Sequence, residues 1–186
     1  ARLAVTADCD IEAMEIVDRS AIGPFTSYVR FGIAEGMMAI TNAGAPYKIA
    51  NFRGEMKAAY VNKAIVGIYR GVGVPIACVV TEQLVDFAAH EIGMDPVALR
   101  AMNLIEAGDE TTAGDRYEGV RARETLQAAV ATAGYGAPKP TNVGRGAAMG
   151  YRSPGSGESS VTVTLSANGG VVISTPVFEP GTGTYT

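Results

Sequence analysis

Tyr69-Arg70-Gly71-Val72-Gly73-Val74-Pro75 punctuates the chain and hands over to a long apolar pattern that ends at Gly93-Met94-Asp95-Pro96. Pro75 stands where a first helical residue would, because its missing N–H is an orphan at that position anyway. Ile76, Val79, Val80, Leu84, Phe87 and Ala88 then recur at helical spacing up to Gly93. Asp95 offers a capping carboxylate and Pro96 a pre-set φ, after which Val97, Leu99, Met102 and Leu104 continue an apolar side. The two patterns together predict a helix-turn-helix unit.

Working outward, Arg53 to Tyr60 and Ala64 to Tyr69 read as strands just upstream, and Ile33 to Ile40 as a short helix or strand. Nearer the start, residues 2 to 7 and 11 to 17 predict two strands joined at the Asp-rich turn Asp8-Cys9-Asp10. Downstream, a third helix is predicted from about Arg121 to Ala133, with Leu126 and Val130 on one face and Gly134 as its stop. A Pro/Gly-rich connector follows, and beyond it Val161 to Leu165 alternates strictly. Asn168-Gly169 reads there as a two-residue type I′ turn or a close variant, before Val171 to Val177 returns. The expected organisation is 1–135, a connector over 136–146, and a β region over 147–186.

Of the 186 residues, 47% are hydrophobic and 18% charged, the balance of a core-forming chain rather than a disordered or fibrous one. The net charge of −4 argues against a nucleic-acid backbone as partner. Apolar runs such as Val74 to Val80 fall far short of the roughly 20 residues of a membrane helix, so no membrane partner is expected. Two cysteines without a CxxC and a single His cannot assemble a zinc or iron–sulfur site, and a reducing cytoplasm is the expected location. The first residues already read as strand and the last as a turn, so the chain is expected to begin and end mid-structure.

Among candidate chemical groups, His90 shows no orienting partner and reads as a packed or exposed ring rather than a general base. Asp8, Asp10 and Glu12 read as turn chemistry rather than a cation site, and Cys78 as a packed thiol. Glu82 falls among apolar residues, where a carboxylate needs a partner, and is expected to hold a nearby loop in place rather than act as a base. Arg70 before Gly71-Val72-Gly73 has the grammar of an anion-binding turn, and Gly181-Thr182-Gly183 offers a second. Neither is a Walker A loop or a spaced GxGxxG.

Taken in order, Ala45-Pro46-Tyr47-Lys48-Ile49, Tyr69-Arg70-Gly71-Val72-Gly73-Val74-Pro75, Glu82, and Gly93-Met94-Asp95-Pro96 through Asn103-Leu104 resemble one family. It is the molybdopterin-binding large subunit of the xanthine dehydrogenase, aldehyde oxidase and carbon monoxide dehydrogenase family. Phe178-Glu179-Pro180-Gly181-Thr182-Gly183 is similar to that family's second pterin-contacting stretch, with Thr182 in place of a Gln. The resemblance implies an α+β fold, mixed strands with the helix-turn-helix unit, forming part of a molybdopterin-binding domain. It implies that residues 1–135 are the latter part of a first molybdenum-cofactor-binding domain and 147–186 the start of a second.

The activity implied is hydroxylation of an aldehyde or N-heterocycle carbon with water-derived oxygen, by a fragment that is inactive alone because the family's catalytic glutamate is not in this chain. The cofactor implied is molybdenum-molybdopterin in its cytosine dinucleotide form, with iron–sulfur clusters and FAD on other domains or subunits. Partners are then the remaining segments of the molybdenum subunit, the iron–sulfur and FAD subunits, and a small-molecule substrate. By the same resemblance, Arg70, Gly71, Gly181, Thr182 and Gly183 contact cofactor, and Val72 and Met38 face substrate. Purine oxidisers carry Phe and Arg at those last two positions, and carbon monoxide dehydrogenases carry a Cys in the loop, so neither substrate is expected. The alternative is a non-catalytic scaffold or partner-binding subunit that keeps the fold without the cofactor.

Overall fold

The computed structural model describes residues 1–26, 32–152, 157–179 and 183–184. The chain divides into two compact units, Ala1–Arg152 and Ser153–Thr186. In the first, β1 (Arg2–Val5) pairs antiparallel with β2 (Ile11–Ala21), Leu3 opposite Met14. The expected Asp-rich turn closes this hairpin: Thr6 N donates to Asp10 O at 2.9 Å, and Cys9 takes a φ of +69°. β3 (Asn51–Ala59) lies parallel to β2, with Met14 beside Phe52, so the sheet order is β1-β2-β3. Parallel neighbours need a crossover, and α1 (Ala34–Asn42) supplies it, resolving the open helix-or-strand reading of Ile33 to Ile40 as helix.

The predicted strand over Ala64 to Tyr69 does not form. The chain turns at Lys63, whose N–H donates to Val61 O at 2.9 Å, and residues 64–69 pass Gly23 without ladder hydrogen bonds. Ile65, Val66 and Ile68 stay substantially exposed. Their β-branched composition suits a half-buried pleated surface, but among the described residues no strand lies alongside to provide one.

The helix-turn-helix unit is present as α2 (Val74–Glu91) and α3 (Pro96–Asn103). α2 ends in a Schellman motif: Met94 N donates to Ala89 O and Gly93 N to His90 O, with Gly93 at φ +70°. Asp95 caps α3 as expected, its carboxylate accepting from Val97 N and Ala98 N, both at 2.9 Å. α4 (Ala122–Thr132) buries Leu126 and ends the same way at Gly134. Val85 and Ala89 of α2 and Leu99 of α3 close with Leu104 on Ile11 and Tyr47 to form the main core. Each fully buried Leu or Val of this kind stabilises by about 1.5–3 kcal/mol. Among the described residues, no helix is long and apolar enough to cross a membrane.

The second unit contains the antiparallel hairpin of β4 (Thr162–Leu165) and β5 (Val171–Ser174). β5 stops short of the expected Val177. The turn is not type I′, because of the residues Asn168-Gly169 only Gly169 has a positive φ, +83°. Instead Gly169 N donates to Ser166 O and Ser166 N to Gly170 O, a longer turn that leaves Asn168 free to accept from Gly170 N through its side chain.

Candidate functional site

The loop before α2 winds left-handedly through three successive residues: φ is +90° at Gly71, +44° at Val72 and +72° at Gly73. A β-branched residue pays for that conformation with roughly 1–3 kcal/mol, so Val72 persists there only because its surroundings hold it. Two turns close the loop, Val72 N donating to Tyr69 O at 2.8 Å and Val74 N to Gly71 O at 3.2 Å. Side chains grip it at two further points. The Glu35 carboxylate, in the first turn of α1, accepts from Tyr69 N at 2.7 Å, and Arg152 Nη1 donates to Gly71 O at 3.2 Å. Gly73 meets α1 so closely that a Cβ there would lie 2.0 Å from Glu35 O, which no side chain could tolerate.

Within this loop several donors are unspent. Among the described residues, the N–H groups of Arg70, Gly71 and the buried Gly73 have no hydrogen-bond partner, and the exposed Arg70 guanidinium has no ion pair. Gly73 is also the N-cap of α2, with no side chain satisfying the helix start. Backbone donors, a helix N-terminus and a cation close together along the chain are groups that favour an anion by charge. Val72 is half-buried in the same loop, and Met38 is half-buried on α1 one turn beyond Glu35. Gly183, in the second unit, donates through its N–H to Glu179 Oε1 at 3.1 Å, while the other carboxylate oxygen accepts from Thr184 N. Gly181 and Thr182 lie outside the described residues.

Behind the loop, Glu82 is 6% exposed on α2 and is fully engaged. Tyr47 Oη donates to its Oε1 at 2.6 Å; Arg100 Nε and Met149 N both donate to its Oε2 at 2.8 Å. Arg100 is itself 0% exposed and also donates to Asp86 Oδ1 and Pro96 O through Nη1 and to Glu82 O through Nη2. Burial, and then the adjacent carboxylate, push the Tyr47 phenol far above its ordinary range, so it stays a protonated donor. Burial is the largest influence on Arg100 and works against its charge, but the surrounding partners, Glu82 first and Asp86 among them, together outweigh it, and the guanidinium is held above its ordinary value. Glu82 thus holds the 149 segment, the Tyr47 turn and α3 together, the loop-holding role expected of it. The adjacent Thr81 hydroxyl accepts from Gly44 N at 3.0 Å.

The remaining candidates sit apart from this arrangement. His90 is exposed near the end of α2, Cys78 is half-buried on the same helix, and Asp8, Asp10 and Glu12 are exposed around the β1–β2 turn.

The family model of the molybdopterin cofactor-binding domain matches residues 1–104. The chain belongs to that family. The match spans the sheet, α1, the left-handed loop, α2 and α3, and it bears out both the resemblance read from the Tyr47 to Leu104 motifs and the α+β fold expected with it. The nicotinate dehydrogenase large molybdopterin subunit of Eubacterium barkeri is 31% identical over 125 residues, covering 67% of this chain and 29% of its own. The aldehyde oxidoreductase of Megalodesulfovibrio gigas is 32% identical over 120 residues, covering 63% of this chain and 13% of its own. A crystal structure of the aldehyde oxidoreductase from Desulfovibrio desulfuricans ATCC 27774 superposes with a TM-score of 0.59 at 30% identity, over 69% of this chain and 14% of that one. The chain therefore spans less than a third of the length of these relatives in the molybdopterin cofactor-binding family.

Sequence reasoning missed Glu35, Arg152 and the partners of Glu82. Arg100 and Asn103 carried a usable signal, since both stand among the apolar residues of α3, where a polar side chain needs a buried partner. Asn103 Oδ1 accepts from Ile11 N at 2.7 Å and its Nδ2 donates to Cys9 O at 2.9 Å, tying α3 to the β1–β2 turn. Glu35 carried no such signal, because a carboxylate in a helix's first turn is ordinary.

Proposed function

We propose that this chain is a segment of a molybdenum hydroxylase, with residues 1–135 the latter part of one cofactor-binding domain, 136–146 a connector and 147–186 the start of another. The observation that carries this reading is the left-handed loop with unspent donors at Arg70, Gly71 and Gly73, in a chain of the molybdopterin cofactor-binding family. Arg70 and Gly71 are assigned to the cofactor's anionic portion, and Gly181, Thr182 and Gly183 are likewise assigned to cofactor contact. Bound there, the cofactor, proposed in its cytosine dinucleotide form, would supply two-electron oxidation with oxygen from water, and iron–sulfur and FAD subunits in the cytoplasm would take up the electrons. The guanidinium of Arg70 gives charge-assisted hydrogen bonds that a neutral side chain could not. Val72 and Met38 form an apolar wall against the substrate, an aldehyde or a weakly polar N-heterocycle, and exclude water from it. Alone, the chain is inactive.

Elemental analysis for molybdenum in the protein purified with its natural partners tests this. Near-stoichiometric metal is expected in the wild type. With Arg70→Met, loss of charge-assisted contacts should weaken retention about ten- to a hundredfold. A wild-type assembly devoid of molybdenum would overturn the reading.

A further inference from the structure

The loop that presents Arg70, Gly71 and Val72 cannot hold its own shape. Of three consecutive positive φ values, the two at glycines are unstrained but the one at Val72 stores strain, and only the Tyr69–Val72 and Gly71–Val74 turns oppose it from within. The first external restraint comes from Glu35. Its carboxylate takes Tyr69 N–H at 2.7 Å, a short charge-assisted bond, from the same helical turn whose carbonyl abuts Gly73. Glu35 thus touches the loop near both ends, by side chain at Tyr69 and by backbone at Gly73, and Met38 follows one turn later on the same helix. Nothing else in the described residues binds Tyr69 N–H.

We infer that Glu35 is a positioning residue: it locks the Tyr69–Gly73 loop in its left-handed form and fixes it in register with the helix that carries Met38. The consequence for substrate and cofactor rests on the proposed function, but the lock itself does not. If Glu35 were merely one more solvated acid on α1, the loop would be as ordered without it.

The test is amide hydrogen exchange in the complete subunit that contains this chain, read as the rate at Tyr69 relative to core amides at Val85 and Leu99, so that general destabilisation cancels. Glu35→Ala should raise that ratio about ten- to a hundredfold, the range expected for losing a hydrogen bond to a charged acceptor. Glu35→Gln keeps an acceptor at the same reach and should restore most of the protection. Glu35→Asp keeps the charge but withdraws it by one methylene; it should behave like the alanine variant, and it carries the test if that variant does not fold. An unchanged ratio in Ala or Asp, or a Gln variant as unprotected as Ala, overturns the lock.

A second arm measures molybdenum content and kcat/KM in the assembled enzyme. With the loop released, KM should rise about tenfold and kcat change less, because misplacement of a positioned wall weakens substrate binding first. A wild type without molybdenum or turnover would defeat the proposed function and leave the exchange result to decide the lock. Equal KM in wild type and Glu35→Ala, with the exchange ratio raised, would overturn the register with Met38.

Discussion

Replacing Glu82 by Gln is the most informative single perturbation of this structure. The carboxylate accepts on both oxygens, from Tyr47 Oη on one and from Arg100 Nε and Met149 N on the other. A glutamine amide has one acceptor and one donor end. Whichever way it turns, it sets an N–H₂ against at least one of these donors. If the amide oxygen faces Tyr47, the buried Arg100 guanidinium and the Met149 N–H lose their partner together. Breaking a buried ion pair by removing one member costs about 3–5 kcal/mol. Arg100 keeps Asp86, Pro96 O and Glu82 O, which places the expected loss toward the lower end, about 3–4 kcal/mol.

Tyr47→Phe removes only one donor and should cost about 1–2 kcal/mol. Joint replacement of Glu82 and Arg100 by Met removes both charges and should recover much of the Glu82→Gln loss. The assay is urea unfolding followed by the helical far-ultraviolet signal, which reports the Ala1–Arg152 unit because α1 to α4 all lie within it. A Glu82→Gln midpoint within about 1 kcal/mol of wild type, at unchanged m, would refute the reasoning, since a loss that small belongs to an exposed pair.

Other expectations follow from the same geometry. Gly73→Ala forces a methyl group against Glu35 O in a left-handed backbone, and should cost more than about 2 kcal/mol or displace the loop, measured by the same unfolding curve and by loop amide exchange. Arg123 and then Lys48 hold Glu106 below its ordinary range, and the Glu106 backbone N–H and then Lys48 do the same for Asp109. Because both acids are depressed in the folded state, their contribution is complete above about pH 5 and is lost as pH falls through and below the ordinary carboxylate range. Lys48→Met should flatten that dependence of the melting temperature, and an identical pH profile would count against it. If Met38 and Val72 line the substrate site as proposed, Met38 offers no hydrogen bond to a purine carbonyl and Val72 no aromatic stacking. Together these omissions should cost on the order of 2–4 kcal/mol, or roughly thirty- to a thousandfold in purine recognition. Comparing kcat/KM of the assembled enzyme for hypoxanthine and an aromatic aldehyde checks this, and a preference for hypoxanthine would reject it.

What could be read from the residues alone was what local chemistry dictates. Asp95-Pro96 and Gly93 define the α2–α3 junction through a cap and a Schellman stop, which depend on neighbours a few residues away. The buried role of Glu82 was legible because a carboxylate among apolar helical positions admits few explanations. Its partners were not, since Tyr47 and Arg100 reach it only after the Pro46 turn and α3 have docked. The parallel pairing of β2 with β3 was equally hidden, for it is set by where α1 lays the chain rather than by any strand signal. Ala64 to Tyr69 misled for the converse reason: strand-like composition without a neighbouring strand. The loop motif was recognisable, yet the hydrogen bond from Tyr69 N to Glu35 arises only once α1 has packed beside the loop.

The bond from Ile11 N to Asn103 Oδ1 bears on how the chain is assembled during synthesis. It joins residues 92 positions apart. At about 5–20 residues per second on the ribosome, the β1–β2 hairpin would be made roughly 5–20 seconds before the side chain that fastens its turn exists. Over that interval β1 and β2 present an unfastened turn and, until residue 59 arrives, an open edge. A nascent chain stalled between those points would be the form most exposed to chaperones and to mispairing, and Asn103 is the residue whose arrival ends that exposure.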